Sequence, residues 1–294
     1  MKLYAMSAVS AAVLVASSAQ AQTVFDTDLP NLNGNFGAGV ATTTTTANGR
    51  TTTVTGPGGG ANRATAAPNG SWFQANVGGG GTVGITKTYT KDGDGAAFFS
   101  TTSGDSKGDL VRLFSAPVAL SALQSVSFEW YVDPATTTTN GPFNPVLRLE
   151  MRKNGAFAGQ LILEHIYQNQ TPPPEGVWTT DSSTLTSGIW WASNAALGPT
   201  FADANGGQKT LAQWIAGNAG SELTVVGVNI GVGSGWGGTF SGAIDRVNYA
   251  FTGGPSANVN FAVVPEPASW ALMIAGFGLA GAAARRRTKG VAFA

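Results

Sequence analysis

The chain has 294 residues with no cysteine, 41 glycines and only 11% charged residues, its 16 basic and 16 acidic side chains cancelling. Without thiols there are no disulfides, thiolate metal sites or thiol nucleophiles. Residues 22–264 carry 15 acidic against 11 basic side chains, a formal charge of −4, so no basic stripe of the kind a nucleic-acid surface needs is present. With 43% hydrophobic and 10% aromatic residues, the chain is too apolar to be disordered throughout.

At the N-terminus, Lys2 precedes an apolar stretch centred on Ala8 to Ala16, closed by Ala19-Gln20-Ala21. A positive start, a short apolar core and small residues at Ala19 and Ala21 predict a signal peptide over 1–21, cut by signal peptidase after Ala21. Residues 22–70 form a Thr/Gly-rich lead-in: Thr42 to Thr46 and Thr51 to Thr53 flank Asn48-Gly49, and Gly56 to Gly60 follows with a single proline. This composition reads as a loose lead-in or a loop-rich first hairpin.

From Trp72 the period of two strengthens, and residues 71–258 read as a β-sandwich domain. Val126, Phe128, Trp130 and Val132 share one strand face. Leu147, Leu149 and Met151 alternate with Arg148, Glu150 and Arg152. Gln160 to Gln168 alternates with Leu161, Leu163, His165 and Tyr167 on one side. Leu223 to Val232 is nearly all apolar, and Phe240 to Phe251 reads as the last strand. Turn signals separate the strands, among them Asn154-Gly155 and Gly253-Gly254-Pro255. One short helix is predicted over Gln208 to Ala216, where Leu211, Trp214 and Ile215 make a single apolar stripe that suits a lid on the core. Gly233 to Gly238 matches GxGxxG by letter, but Thr-Phe-Ser follows instead of a helix, so it reads as a loop. The segment Gly237 to Val247 resembles the closing strand of jelly-roll domains of the galactose-binding-like and carbohydrate-binding-module kind. The expected fold is therefore all-β, a jelly-roll-like sandwich with one short helix.

Residues 259–294 differ again. Ala268 to Ala284 carries no charge and is followed by Arg285, Arg286, Arg287 and Lys289. At about 1.5 Å per residue this segment just crosses a thin hydrocarbon layer, so a single transmembrane helix over 268–284 is predicted. The basic end at 285–289 would stay cytoplasmic and the body would lie outside. Pro265, Glu266 and Pro267 (the 265–267 motif), then Trp270-Ala271, Gly276-Phe277-Gly278-Leu279 and Arg285-Arg286-Arg287, resemble the PEP-CTERM sorting domain. Leu272 stands where that variety commonly has Met. The resemblance implies recognition by exosortase, processing near the Pro-Glu-Pro, transient holding at the inner membrane with the body in the periplasm, and delivery to the cell surface or extracellular matrix.

Candidate chemistry in the body is sparse. His165 is the only histidine, so a histidine-based zinc site or catalytic triad lacks partners. Asp92 and Asp94, with Asp105 and Asp109 nearby, offer oxygens for a structural calcium. Glu129, Glu150 and Glu164 lie on separate predicted strands and are the candidates for the paired carboxylates of glycoside hydrolysis. Each also reads as the polar outer residue of its strand, with Arg148 and Arg152 beside Glu150. Trp178, Trp190, Trp191 and Trp236 lie in or near loops and are candidates for stacking on sugar rings. Trp190 and Trp191 are adjacent and so point to opposite faces of an extended chain. The leading expectation is a non-enzymatic envelope or matrix protein associated with exopolysaccharide or biofilm. A carbohydrate-binding module using surface Trp is the second, and a secreted glycoside hydrolase the third.

Overall fold

The computed structural model describes residues 20–29, 43–47, 50–54, 70–92, 94–169, 171–199, 207–264 and 267–288. Two seven-stranded sheets pack face to face as a β-sandwich. In the first sheet β5 (Thr82–Thr86) pairs β6 (Ala96–Thr101), which pairs the N-terminal half of the long β15 (Phe240–Phe251). The C-terminal half of β15 pairs β16 (Ser256–Ala262), and β1 (Gln20–Phe25) adds to β16 in parallel. The other side of β15 carries β8 (Leu123–Val132) and then β11 (Thr179–Ser183). The second sheet runs β13 (Gln208–Lys209), β12 (Trp190–Ala192), β10 (Ala156–Leu163), β9 (Val146–Lys153), β14 (Leu223–Val232), β7 (Lys107–Ala119), β4 (Trp72–Gly78). A separate pair of strands joins β2 (Thr43–Ala47) to β3 (Arg50–Val54), antiparallel.

The core follows from the period of two. Val126, Phe128, Trp130 and Val132 turn inward from β8, and Leu147, Leu149 and Met151 from β9, each at most 2% exposed. Trp72, Trp130, Trp190 and Trp214 are at most 1% exposed. At ~200 Å² each and ~25 cal/mol per Å², each contributes roughly 5 kcal/mol before entropy is charged. A cysteine-free sandwich of this size is held by such burial.

Five expectations change. β10 ends at Leu163, and the chain turns into the one-turn helix α1 (Ile166–Asn169) instead of continuing to Gln168. Gln168 makes the turn: its amide bonds both the N–H and the carbonyl of Ile189 at 2.9 Å and the Glu164 carbonyl at 2.8 Å. The lid helix α2 (Leu211–Gly217) starts three residues late, because Thr210 caps it and Gln213 returns the bond. Phe240–Phe251 is not the last strand, since β16 follows Gly253-Gly254-Pro255 and carries the sandwich past residue 258. Part of the lead-in belongs to the sandwich, because β1 seats Val24 in the core at 3% exposure.

The fifth concerns the tail. α3 (Pro267–Thr288) is a helix, but among the described residues no helix is long and apolar enough to cross a membrane. The arginines at 285–287 lie within the helix itself. Leu272, Ile274, Phe277 and Leu279 are 71–74% exposed. Residues 1–19, which include Ala19 and nearly all of the expected signal peptide, lie outside the described residues, as do Pro265 and Glu266.

Candidate functional site

The outer face of the second sheet carries polar residues in register across four strands. Asn229 on β14 pairs Arg148 on β9, Arg148 pairs Ile162 on β10, and Ile162 pairs Trp191 on β12. One rung along, Asp109 on β7 pairs Gly231, which pairs Val146. On the other side of the first row, Glu150 pairs Gln160. Gly231 makes room for this arrangement: a Cβ there would overlap Asp109 Oδ1 and the Gly108 carbonyl.

These side chains form one hydrogen-bonded floor. Arg148 Nη1 donates to Asp109 Oδ1 at 2.6 Å and to Asn229 Oδ1 at 3.0 Å. Asn229 Nδ2 donates to Glu150 Oε1 at 2.9 Å, and Gln160 Nε2 to the same oxygen at 2.8 Å. Asn76 Nδ2 donates to Asp109 Oδ2 at 3.1 Å. Asn229 and Glu150 are 0% exposed, Asp109 2% and Arg148 5%. Such a buried ionic floor is tolerable only because its charges are paired and bonded.

Above the floor lies a cleft of about 460 Å³. Trp191 and Glu164 form one side, while Gly233, Ser234 and Trp236 of the β14–β15 loop form another, with Asn76 and Lys107 also contributing. Trp191 Nε1 donates to Glu164 Oε2 at 3.1 Å. Burial pushes the Glu164 carboxyl up to about 7, against the opposing pull of that N–H and of the Arg148 charge. The arrangement offers an aromatic wall, a carboxyl that is half protonated near neutrality, and a rigid set of amide and charged groups. Those are the elements that hold a polyhydroxylated ligand.

The candidate residues separate. Trp191 lines the cleft, whereas Trp190, its neighbour, is 0% exposed and donates to Ser183 Oγ at 2.8 Å inside the core. Trp236 borders the cleft but is 7% exposed and stacks on Phe143 at 4.8 Å with a 7° interplanar angle. Trp178 lies away from the cleft against Tyr131 of the first sheet, at 5.7 Å. Of the glutamates, Glu164 lines the cleft and Glu150 lies in the floor beside Gln160, four residues before Glu164 in the chain, both as buried groups rather than solvated outer residues, while Glu129 sits in the first sheet on Lys91. Arg148 pairs with Asp109. His165 leaves its strand face and bonds Asp181 Oδ1 at 2.9 Å, its ring 5.0 Å from Trp130. Asp92 pairs with Arg246, and Asp94 accepts from Asn260 at 2.6 Å. Among the described residues no three His, Cys, Asp or Glu side chains converge as a metal cluster. Sequence reading missed Asn229, Gln160 and Asp109 as parts of one floor. A single Asn inside the otherwise apolar β14 was the available signal.

The tail carries the PEP-CTERM protein-sorting motif over residues 263–287. That motif implies an exported chain processed by exosortase. No curated protein matches the chain. Among solved structures, the family 11 carbohydrate-binding module of a cellulosomal cellulase from Clostridium thermocellum is 14% identical, with 63% of this chain and 89% of that one covered and a TM-score of 0.35. The same organism's module in complex with a β-1,3-1,4-mixed-linked tetrasaccharide is 14% identical over 64% and 91%, at 0.34. A family 7 alginate lyase with bound product is 11% identical over 57% and 85%, at 0.29. Likeness this distant carries no argument about what this chain binds.

Proposed function

We infer that this is an exported protein of the cell envelope or extracellular matrix, delivered by the exosortase route, whose sandwich holds a polysaccharide in the cleft of the second sheet. The observation that carries the delivery is the sorting motif at 263–287. The observation that supports the ligand is the cleft, lined by Trp191 together with Arg148, Asp109 and Gln160, which Asn229 and Glu150 hold from beneath. An indole face takes a sugar ring by apolar contact, while a fixed polar floor meets its hydroxyls.

A glycan array and polysaccharide pull-down with the full chain test this reading. Trp191→Ala is expected to lose at least about tenfold in affinity with little change in melting temperature. Retention on no glycan at all would remove the ligand from the proposal and leave the delivery standing.

The raised Glu164 favours one alternative, a secreted glycoside hydrolase with Glu164 as acid. Asp109, the other carboxylate that lines the cleft, weighs against it, since it accepts two hydrogen bonds within the floor. Release of reducing ends by the full chain, lost in Glu164→Gln, would favour the hydrolase.

A further inference from the structure

β16 runs directly into the sorting motif. It ends at Ala262, and the motif begins at Val263. Val263 and Val264 nevertheless remain part of the folded body. The Val263 N–H donates to the Asp94 carbonyl in the β5–β6 loop at 2.7 Å, and its side chain packs against the core. The Val264 N–H donates to Asp26 Oδ1, in the turn after β1, at 3.1 Å. That turn is fixed in its own right, since Asp28 Oδ2 accepts the Phe25 N–H at 3.2 Å and Phe25 pairs with Ala262. Gly95, at φ +142°, lets the β5–β6 loop come this close, because a Cβ there would lie 2.8 Å from the Val263 nitrogen.

These bonds fall on scarce groups. Residues 263–267 read Val-Val-Pro-Glu-Pro, and proline has no N–H. The stretch therefore has three backbone donors, and the body holds two of them. α3 begins at Pro267, three residue steps beyond Val264 and at most about 11 Å of extended chain. A bond processed near the Pro-Glu-Pro thus has a folded sandwich close on one side and a helix close on the other. An enzyme that cuts a chain must surround several residues on each side of the bond. An N–H held by the body must first be released by local opening.

We propose that Asp26 and the Asp94 carbonyl latch the start of the sorting motif to the folded body, and that processing proceeds from the minor population in which Val263 and Val264 have let go. The role in processing rests on delivery by exosortase. Asp26 is a positioning residue, because it reaches the processed stretch only through Val264. It follows directly on β1, so the latch closes only after the first strand has paired in parallel with β16. A chain still folding presents an open motif, and a finished sandwich presents a latched one. When opening is fast relative to cleavage, the rate follows the open population.

Two measurements on the full chain test the latch. In hydrogen exchange of the purified protein in detergent, the Val263 and Val264 amides should be protected. Asp26→Ala should expose Val264 with little change in melting temperature, since Asp26 is a surface residue. In cells that carry an exosortase, pulse-chase should show Asp26→Ala losing its tail roughly five times faster than the parent, the factor that one lost hydrogen bond of ordinary strength gives. Asp26→Asn keeps an acceptor and should follow the parent. Gly-Ser-Gly inserted between Val264 and Pro265 leaves the latch in place and lengthens only the gap. Equal processing of Asp26→Ala and the parent overturns the proposal, and if the insertion alone speeds processing, closeness to the body sets the rate instead. Rapid exchange at both amides in the parent also overturns it, whatever becomes of the tail. A tail kept by the parent and every variant overturns the sorting reading, and the role in processing with it.

Discussion

The Glu164 carboxyl lies under opposing influences: burial raises it, while the Trp191 N–H and the Arg148 charge lower it, and burial prevails to about 7. The folded state therefore binds this proton more tightly than the unfolded chain, where the ordinary value is 4.5. Stability from this group is present below pH 4.5 and is lost as pH rises through 7, by at most about 3 kcal/mol. Glu164→Gln keeps an acceptor for Trp191 but cannot ionise, so its urea midpoint should vary less between pH 5 and pH 8 than the parent's. A parallel dependence in both proteins would show that Glu164 is not the titrating group. Gly231→Ala tests the floor: its methyl group meets the Asp109 carboxylate and a backbone carbonyl, which should cost about 1–3 kcal/mol in denaturant unfolding. The Trp190/Trp191 pair was legible from residue order, because neighbours on a strand take opposite faces. The burial of Glu150 and Glu164 was not, because strand alternation tells inner from outer but not how deeply an outer face is covered.

Elements were legible where one period ran without interruption. β14 matches its expected span residue for residue, and the inward set of β8 follows its alternation. β16 also alternates, with Ala257, Val259 and Phe261 inward at no more than 2% exposure. It was overlooked because the Gly-Gly-Pro before it reads as an end rather than a turn. The end of β10 was illegible locally, since Gln168 takes its partners from Ile189, 21 residues away. For α2, the stripe was visible but the start depended on Thr210, whose Oγ1 accepts the Gln213 N–H at 3.3 Å. Thr210→Ala should destabilise by about 1 kcal/mol, read as a lower urea midpoint with an unchanged slope. Trp214, which donates to the Trp190 carbonyl at 3.1 Å, links this lid to the cleft strand, so the same variant is expected to loosen Trp191 fluorescence.

At the scale of the molecule, the two ends and the sandwich answer to different physics. Mass spectrometry of the protein recovered from the cell surface or medium should find a start at Gln22 and no Arg285–Arg287. An intact basic end on released protein would contradict sorting through the motif at 263–287. β1 gives the first of these ends a structural meaning, because a chain beginning at Gln22 retains Val24 and most of the strand that covers β16. Sequence by itself determined what depends on neighbouring residues: the sorting tail, the absence of disulfides, and a sandwich written in alternating strands. It could not determine the cleft. Asp109, Arg148 and Asn229 lie as much as 120 residues apart, and Asp94 reaches Asn260 across 166. Only strand pairing brings such residues within bonding distance, and the physical basis of the cleft floor, buried charge facing charge, does not exist until that pairing has excluded water.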